Sequence, residues 1–294
     1  MLDEVVGLLF PGQGSQFLNM GRELYDELPK AREIIKRSNE VLNFDIRKYI
    51  FEGNEDELRK TEIAQPAIFT VSAMFFEKFK LLGKQFSVVA GHSLGEYSAL
   101  YAANVFTFEE GLQLVRKRGI AMNQSSQKGK MYAILGLSIE DVKLHLEQYE
   151  SEVVIANINS KTQIVISGLT NETNKVAERI SKINGIKVKE LNVSSAFHSP
   201  LMSEAKLVME KEINKAIMKA PNVAFVPNNL GYTTRDLVII RNSLIEQITN
   251  RVKWLDTLIS MKDYGVTQLY EVGPSDVLTK LSRTVFFRPK CEHI

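Results

Sequence analysis

The residues best suited to chemistry are Gly91-His92-Ser93-Leu94-Gly95, which follow the apolar run Ser87-Val88-Val89-Ala90 and lead into a helical segment from Glu96 to Ala103. In a G-x-S-x-G turn between strand and helix, the flanking glycines relieve crowding and the serine hydroxyl stands exposed at the helix N-terminus. Ser93 is therefore a candidate nucleophile. The next backbone N–H, that of Leu94, can hold an oxyanion. A serine needs a base, and the chain has four histidines, His92, His145, His198 and His293. His92 should point to the other side of the turn, His145 sits mid-helix between Lys143 and Glu147, and His293 lies in the tail. His198 remains, in Ser195-Ala196-Phe197-His198-Ser199-Pro200. The positive end of the helix opening at Pro200 would lower its pKa and keep the imidazole a neutral base.

Arg118 is the third candidate. Its helical neighbours Leu114, Val115, Ala121 and Met122 are all apolar, so the guanidinium projects from a buried stripe. A cation there either pairs with a structural carboxylate, snorkels out to solvent, or holds the carboxylate of a substrate bidentately. The loop Gly12-Gln13-Gly14-Ser15-Gln16 lacks the third glycine of a dinucleotide fingerprint, since position 17 is Phe. A Gly-flanked N–H at Gln13, facing the elbow from an adjacent strand, would instead supply a second oxyanion donor.

The elements that must position these groups alternate between strand-length apolar runs and longer helical segments, the pattern of an α/β protein with a parallel sheet. Val5 to Phe10 is the first strand. Thr107-Phe108-Glu109-Glu110 reads as a capping box opening a helix to about residue 126. Between 130 and 195 the order becomes βαββαβ: strands at 131–137, 153–158, 163–168 and 186–193, and helices at 139–149 and 172–183. This is a ferredoxin-like unit inserted in the main domain. The expected division is 1–129 and 196–294 for a hydrolase-like catalytic domain and 130–195 for the small one. A long helix should run from Ser199-Pro200 to about Ala220, another from Leu244 to Asn250, and a strand over 268–272.

Composition narrows the function. The 294 residues carry Lys+Arg 37 against Asp+Glu 35, a net +2 that gives no bulk attraction for nucleic acid or a membrane surface. One cysteine, Cys291, excludes an internal disulfide and a Cys-rich zinc module. Neither a signal peptide nor a run of ~20 apolar residues is present, so a cytoplasmic protein is expected.

Taken in order, several stretches closely resemble the malonyl-CoA:acyl carrier protein transacylases and the acyltransferases of polyketide synthases. They are Phe10-Pro11-Gly12-Gln13-Gly14-Ser15-Gln16, Gly91-His92-Ser93-Leu94-Gly95-Glu96-Tyr97, Arg118-Gly119 with Met122, and Phe197-His198-Ser199. Asn157-Ile158-Asn159-Ser160, Val165-Ile166-Ser167-Gly168 and Glu271-Val272-Gly273-Pro274 match as well. The resemblance implies a hydrolase-like α/β domain with a ferredoxin-like insert, and a Ser93–His198 dyad whose imidazole is oriented by a backbone carbonyl, at Gln247, rather than by an aspartate. It also implies Gln13 and Leu94 as oxyanion donors, Arg118 as clamp for the malonyl carboxylate, and Met122 and Phe197 at the acyl pocket, the Phe197 ring excluding an α-methyl group. Arg251 stands where a proline is usual before Val252-x-Trp254, and Ser275-Asp276 where a Gly-Lys-like pair is usual.

The implied substrates are malonyl-CoA and an acyl carrier protein, with no cofactor and no metal, acting as a monomer. With no ketosynthase or carrier segment attached, a free-standing enzyme acting in trans for fatty-acid or polyketide synthesis is expected. Lys182, Lys187 and Lys189 form either a patch for an acidic carrier or, more simply, a solvated face. The rivals are a hydrolase of the same fold that clears carrier proteins, for which Arg118 would be superfluous, and a silent scaffold subunit, which would not become acylated.

Overall fold

The computed structural model describes residues 4–125, 129–149, 152–193, 195–286 and 290–294. The capping-box helix expected to run to about residue 126 ends at Gln124, with Ser125 as its C-cap. Strand β1 (Val6–Phe10) is buried along its whole length, as a central parallel strand covered on both faces must be. It pairs in parallel with β2 (Val88–Gly91). Between them the chain forms helices that sequence periodicity did not separate, the longest being Thr61–Leu81. That helix is buried around most of its circumference and contains Pro66, so it lacks the apolar/polar contrast from which a helix is read. The helix Phe108–Gln124 begins at the expected capping box, with Thr107 Oγ1 accepting from Glu110 N and Glu110 Oε2 accepting from Thr107 N.

The second sheet comprises β3 (Gly129–Leu135), β4 (Val153–Ser160), β5 (Gln163–Leu169) and β6 (Lys187–Glu190) in the antiparallel order β4-β5-β3-β6. Helices Ile139–Leu146 and Thr170–Ser181 make up the ferredoxin-like βαββαβ unit, over a core that includes Ile134, Ile155, Ile164, Ile166 and Val176. β6 is shorter than the expected 186–193. Returning to the first sheet, the chain makes a 3₁₀ turn Pro200–Met202 and a helix Ser203–Lys215, which ends before the expected Ala220. Strand β7 (Ala224–Phe225) follows. The helix expected over 244–250 is instead Leu237–Glu246, started by Asp236 Oδ1 accepting from Val238 N and Ile239 N. β8 (Gln268–Glu271) and β9 (Lys290–His293) complete a five-stranded parallel sheet in the order β7-β2-β1-β8-β9. His293 is thus in an edge strand, its Nε2 on the Gly273 carbonyl, and His145 accepts from Arg179 Nε.

The two sheets are strapped together. Val252 N donates to Ala156 O, Ile158 N donates to Val252 O, and Arg251 Nε donates to Ile155 O, all on edge strand β4.

Candidate active site

Ser93 lies between β2 and the helix Gly95–Ala102, with φ 52°. A left-handed non-glycine residue costs on the order of 1–3 kcal/mol and persists only where its surroundings hold it. The glycines are demanded by close backbone approach: a Cβ on Gly91 would lie 1.9 Å from the Gly95 carbonyl group, and one on Gly95 would lie 2.0 Å from Phe10 O. Asn228, fully buried after β7, holds the turn from the far side: Ser93 N donates to its Oδ1 (2.7 Å), and its Nδ2 donates to Gly91 O (2.7 Å).

Ser93 Oγ is 2.7 Å from His198 Nε2. His198 also has a positive φ, 56°, and its Nδ1 lies 2.9 Å from the Gln247 carbonyl. A carbonyl can only accept, so Nδ1 carries the proton and Nε2 faces the serine as a base. Burial, and then the charge of Arg118, push the His198 pKa down to about 3, opposed by the Gln247 carbonyl. The base is therefore neutral across ordinary pH. Its Nε2 bond makes the Ser93 hydroxyl a donor to the ring.

Arg118 is 1% exposed and forms no ion pair among the described residues. Its Nη1 donates to Gln65 Oε1 (2.9 Å), and its Nη2 to Gln247 Oε1 (2.9 Å) and to Ser93 Oγ (3.1 Å). Burial lowers its pKa, while Tyr97 and Glu96 raise it. Glu96 is the nearest buried acid, and burial pushes it up to about 8 against the pull of Asn228 N, Gln247 Nε2 and Arg118. Gln247 joins these parts: its carbonyl holds His198, its Oε1 holds Arg118, and its Nε2 donates to Ser93 O and to Glu96 Oε2. The fit survives the unusual Arg251, whose Nε binds Ile155 O, and Ser275, whose Oγ donates to Glu271 Oε1.

Two backbone donors converge beside the nucleophile. Gly12 sits so close to the elbow that a Cβ there would be 2.2 Å from His92 O, which brings the Gln13 amide against the turn. Neither Gln13 N nor Leu94 N has an acceptor among the described residues. A cavity of about 250 Å³ opens onto Ser93, His198 and Arg118 between the two sheets, and Met122 and Phe197 line it. His92 also lines this cavity, but its ring turns to Asn159, not to Ser93. Gln65, Asn228 and the side chain of Gln247 carried no sequence signal, because each reaches the site from more than 50 residues away.

The model of the acyl transferase domain family matches residues 8–279. A malonyl CoA-acyl carrier protein transacylase of Bacillus subtilis is 38% identical over 97% of this chain and 92% of its own length. A polyketide biosynthesis malonyl CoA-acyl carrier protein transacylase of the same organism, PksC, is 39% identical over 94% of this chain and 96% of its own. Among solved structures, an acyl-carrier-protein-S-malonyltransferase from Bartonella henselae superposes with a TM-score of 0.94 at 35% identity, covering 99% of this chain and 95% of that one. A malonyl-transacylase solved in complex with a type II polyketide acyl-carrier protein superposes equally well, at 31% identity, covering 99% of this chain and 96% of that one.

Proposed function

The chain belongs to the acyl transferase domain family, and from that premise we propose that it moves a malonyl group from malonyl-CoA to the phosphopantetheine thiol of an acyl carrier protein. The observation that carries this reading is Arg118: a buried guanidinium with no carboxylate partner among the described residues, 3.1 Å from the candidate nucleophile. A malonyl carboxylate is the anion it lacks. A hydrolase acting on neutral acyl groups has no use for such a clamp.

His198 Nε2 takes the Ser93 proton as Oγ attacks the thioester carbonyl carbon, and Gln13 N–H and Leu94 N–H hold the oxyanion. Collapse breaks the C–S bond, and the Nε2 proton goes to the departing CoA sulfur. The carrier thiol then gives its proton to Nε2 and attacks the Ser93 ester, and that proton returns to Oγ as the ester breaks. Arg118, next to Oγ, stabilises the serine as an alkoxide and then orients the carboxylate, while Met122 and the Phe197 ring close the pocket around the acyl group. All steps use side chains and backbone alone, with no cofactor. No helix among the described residues is long and apolar enough to cross a membrane. We place the protein in the cytoplasm as a monomer, serving fatty-acid or trans-acting polyketide synthesis; one of the relatives is named for polyketide biosynthesis.

Intact-protein mass spectrometry after brief incubation with malonyl-CoA, methylmalonyl-CoA or acetyl-CoA tests the reading. Wild type should gain a malonyl adduct that Ser93→Ala does not form and that a holo carrier protein removes. Release of CoA with no adduct would replace transfer with hydrolysis.

A further inference from the structure

The stretch from Gln247 to Lys253 touches the base, the elbow and the small sheet at once. Val252 pairs with edge strand β4 as a single parallel bridge, its N–H on Ala156 O and its carbonyl on Ile158 N. One residue earlier, Arg251 Nε donates to Ile155 O (3.1 Å). Successive carbonyls of a regular strand turn to opposite edges, so Ile155 O and Ala156 O should not both face the same neighbour. The register of β4 against β5 shifts between Ile155 and Asn157, and this bulge lets both carbonyls accept from the 251–252 backbone and side chain. The Arg251 guanidinium is half-buried. Burial lowers its pKa and Asp256, on the helix Trp254–Asp263, raises it. A hydrogen bond from a partly desolvated cation is about twice as strong as a neutral one, which makes this contact a firm pin.

The other contacts of the stretch lead to the reacting groups. Gln247 O lies 2.9 Å from His198 Nδ1, and Asn250 N donates back to Gln247 O (3.3 Å). Lys253 N donates to Asn228 O (2.8 Å), and the Asn228 side chain holds Ser93 N and Gly91 O. The His198 backbone, at φ 56°, keeps its conformation only while its surroundings hold it. A groove of about 350 Å³, bounded by Ile155, His198, Pro200, Asn250 and Arg251, gives the stretch room to draw away from the ring. Hydrogen bonds must therefore do there what close packing does elsewhere in the site.

We propose that Arg251 is a positioning residue for the base: its bond to Ile155 O pins the 247–253 stretch to the small sheet, and so keeps the Gln247 carbonyl on His198 Nδ1 and the imidazole Nε2 on Ser93. Arg251 touches neither the nucleophile nor the base side chain and acts through Gln247. The inference deepens the transferase reading above and rests on its assignment of His198 as the base.

The test compares Arg251→Met, which keeps an unbranched stem and removes the donor, with Arg251→Lys, which keeps a donor. The bonds of Val252 to β4 persist in both, so both should fold. One readout is the ring-nitrogen NMR shifts of His198 at neutral pH, identified by their loss in His198→Gln. Wild type and Arg251→Lys should show the proton on Nδ1, and Arg251→Met should show it shared between the two nitrogens as the ring loses Gln247 O. The other readout is single-turnover malonylation of Ser93 followed by intact-protein mass spectrometry. At saturating malonyl-CoA the rate should fall about tenfold in Arg251→Met and stay within about threefold of wild type in Arg251→Lys, with half-saturation moved by less than about twofold in either. An unchanged tautomer and rate in Arg251→Met, equal losses in the two variants, or a loss confined to half-saturation would overturn the proposal. Failure of Arg251→Met to fold would likewise make the bond a support for the fold alone. Absence of any malonyl adduct on wild type would instead remove the transferase reading, while the ring-nitrogen shifts, which need no substrate, would still decide whether Arg251 sets the His198 tautomer.

Discussion

Replacing Arg118 should change which acyl group the enzyme takes more than it changes whether Ser93 reacts. In the free protein the guanidinium satisfies Gln65 Oε1, Gln247 Oε1 and Ser93 Oγ, but no carboxylate among the described residues pairs with it. Binding a malonyl group supplies that charge, and in Arg118→Ala the buried carboxylate would have no partner. Removing one member of a buried ion pair costs about 3–5 kcal/mol, which corresponds to a loss of roughly two to three and a half powers of ten in malonyl transfer. An acetyl group has no carboxylate to strand. Its transfer should change by no more than about tenfold, reflecting the lost Nη2 bond to Ser93 and the freed amides of Gln65 and Gln247. The acetyl-to-malonyl ratio should therefore rise by at least about one order of magnitude and by as much as about three and a half. Arg118→Lys, a point charge without the planar fork, should fall between wild type and alanine. The assay is single-turnover acylation by malonyl-CoA and acetyl-CoA, each read as adduct mass against time. Parallel loss of both rates in Arg118→Ala would refute the reasoning and make Arg118 a support for the nucleophile alone.

The acylation rate should be flat between about pH 5 and 8, because the His198 pKa is lowered to about 3; a pH–rate inflection near the ordinary histidine value would contradict this. The same shift has a consequence for stability: the unfolded chain takes up a proton near 6.5 and the folded chain resists it until about 3, so this contribution is present above 6.5 and is lost as pH falls through that window. Glu96→Gln should cost about 1–3 kcal/mol in urea denaturation, since one of the two donors that Glu96 accepts, Asn228 N or Gln247 Nε2, would then face an N–H; an unchanged midpoint would count against the pairing. Asn228→Ala should lower stability by a similar amount and slow acylation by about tenfold, since Ser93 N and Gly91 O both lose their partner. Wild-type acylation in that variant would show that the elbow holds its geometry unaided.

What could be read from the sequence was whatever local chain geometry dictates. The elbow is five contiguous residues whose glycines are forced by backbone approach. The burial of Arg118 follows from its neighbours three and four positions away. The small sheet was legible because its strands and helices alternate cleanly, whereas Thr61–Leu81, apolar on nearly every face, offered no contrast. Gln65, Asn228 and the side chain of Gln247 were illegible for a different reason. They lie in unremarkable stretches of sequence, and only the closing of the fold delivers them, Asn228 from 135 residues beyond Ser93. These distant residues divide the work unevenly with the local motif. Ser93, His198 and the two backbone donors suffice to form an ester with some thioester. Gln65 and Gln247 aim the cation that selects a carboxylate. Substitutions at Gln65 or in the Gln247 side chain should therefore alter the choice of acyl group before they abolish acylation. Substitutions in the elbow should abolish acylation without altering the choice.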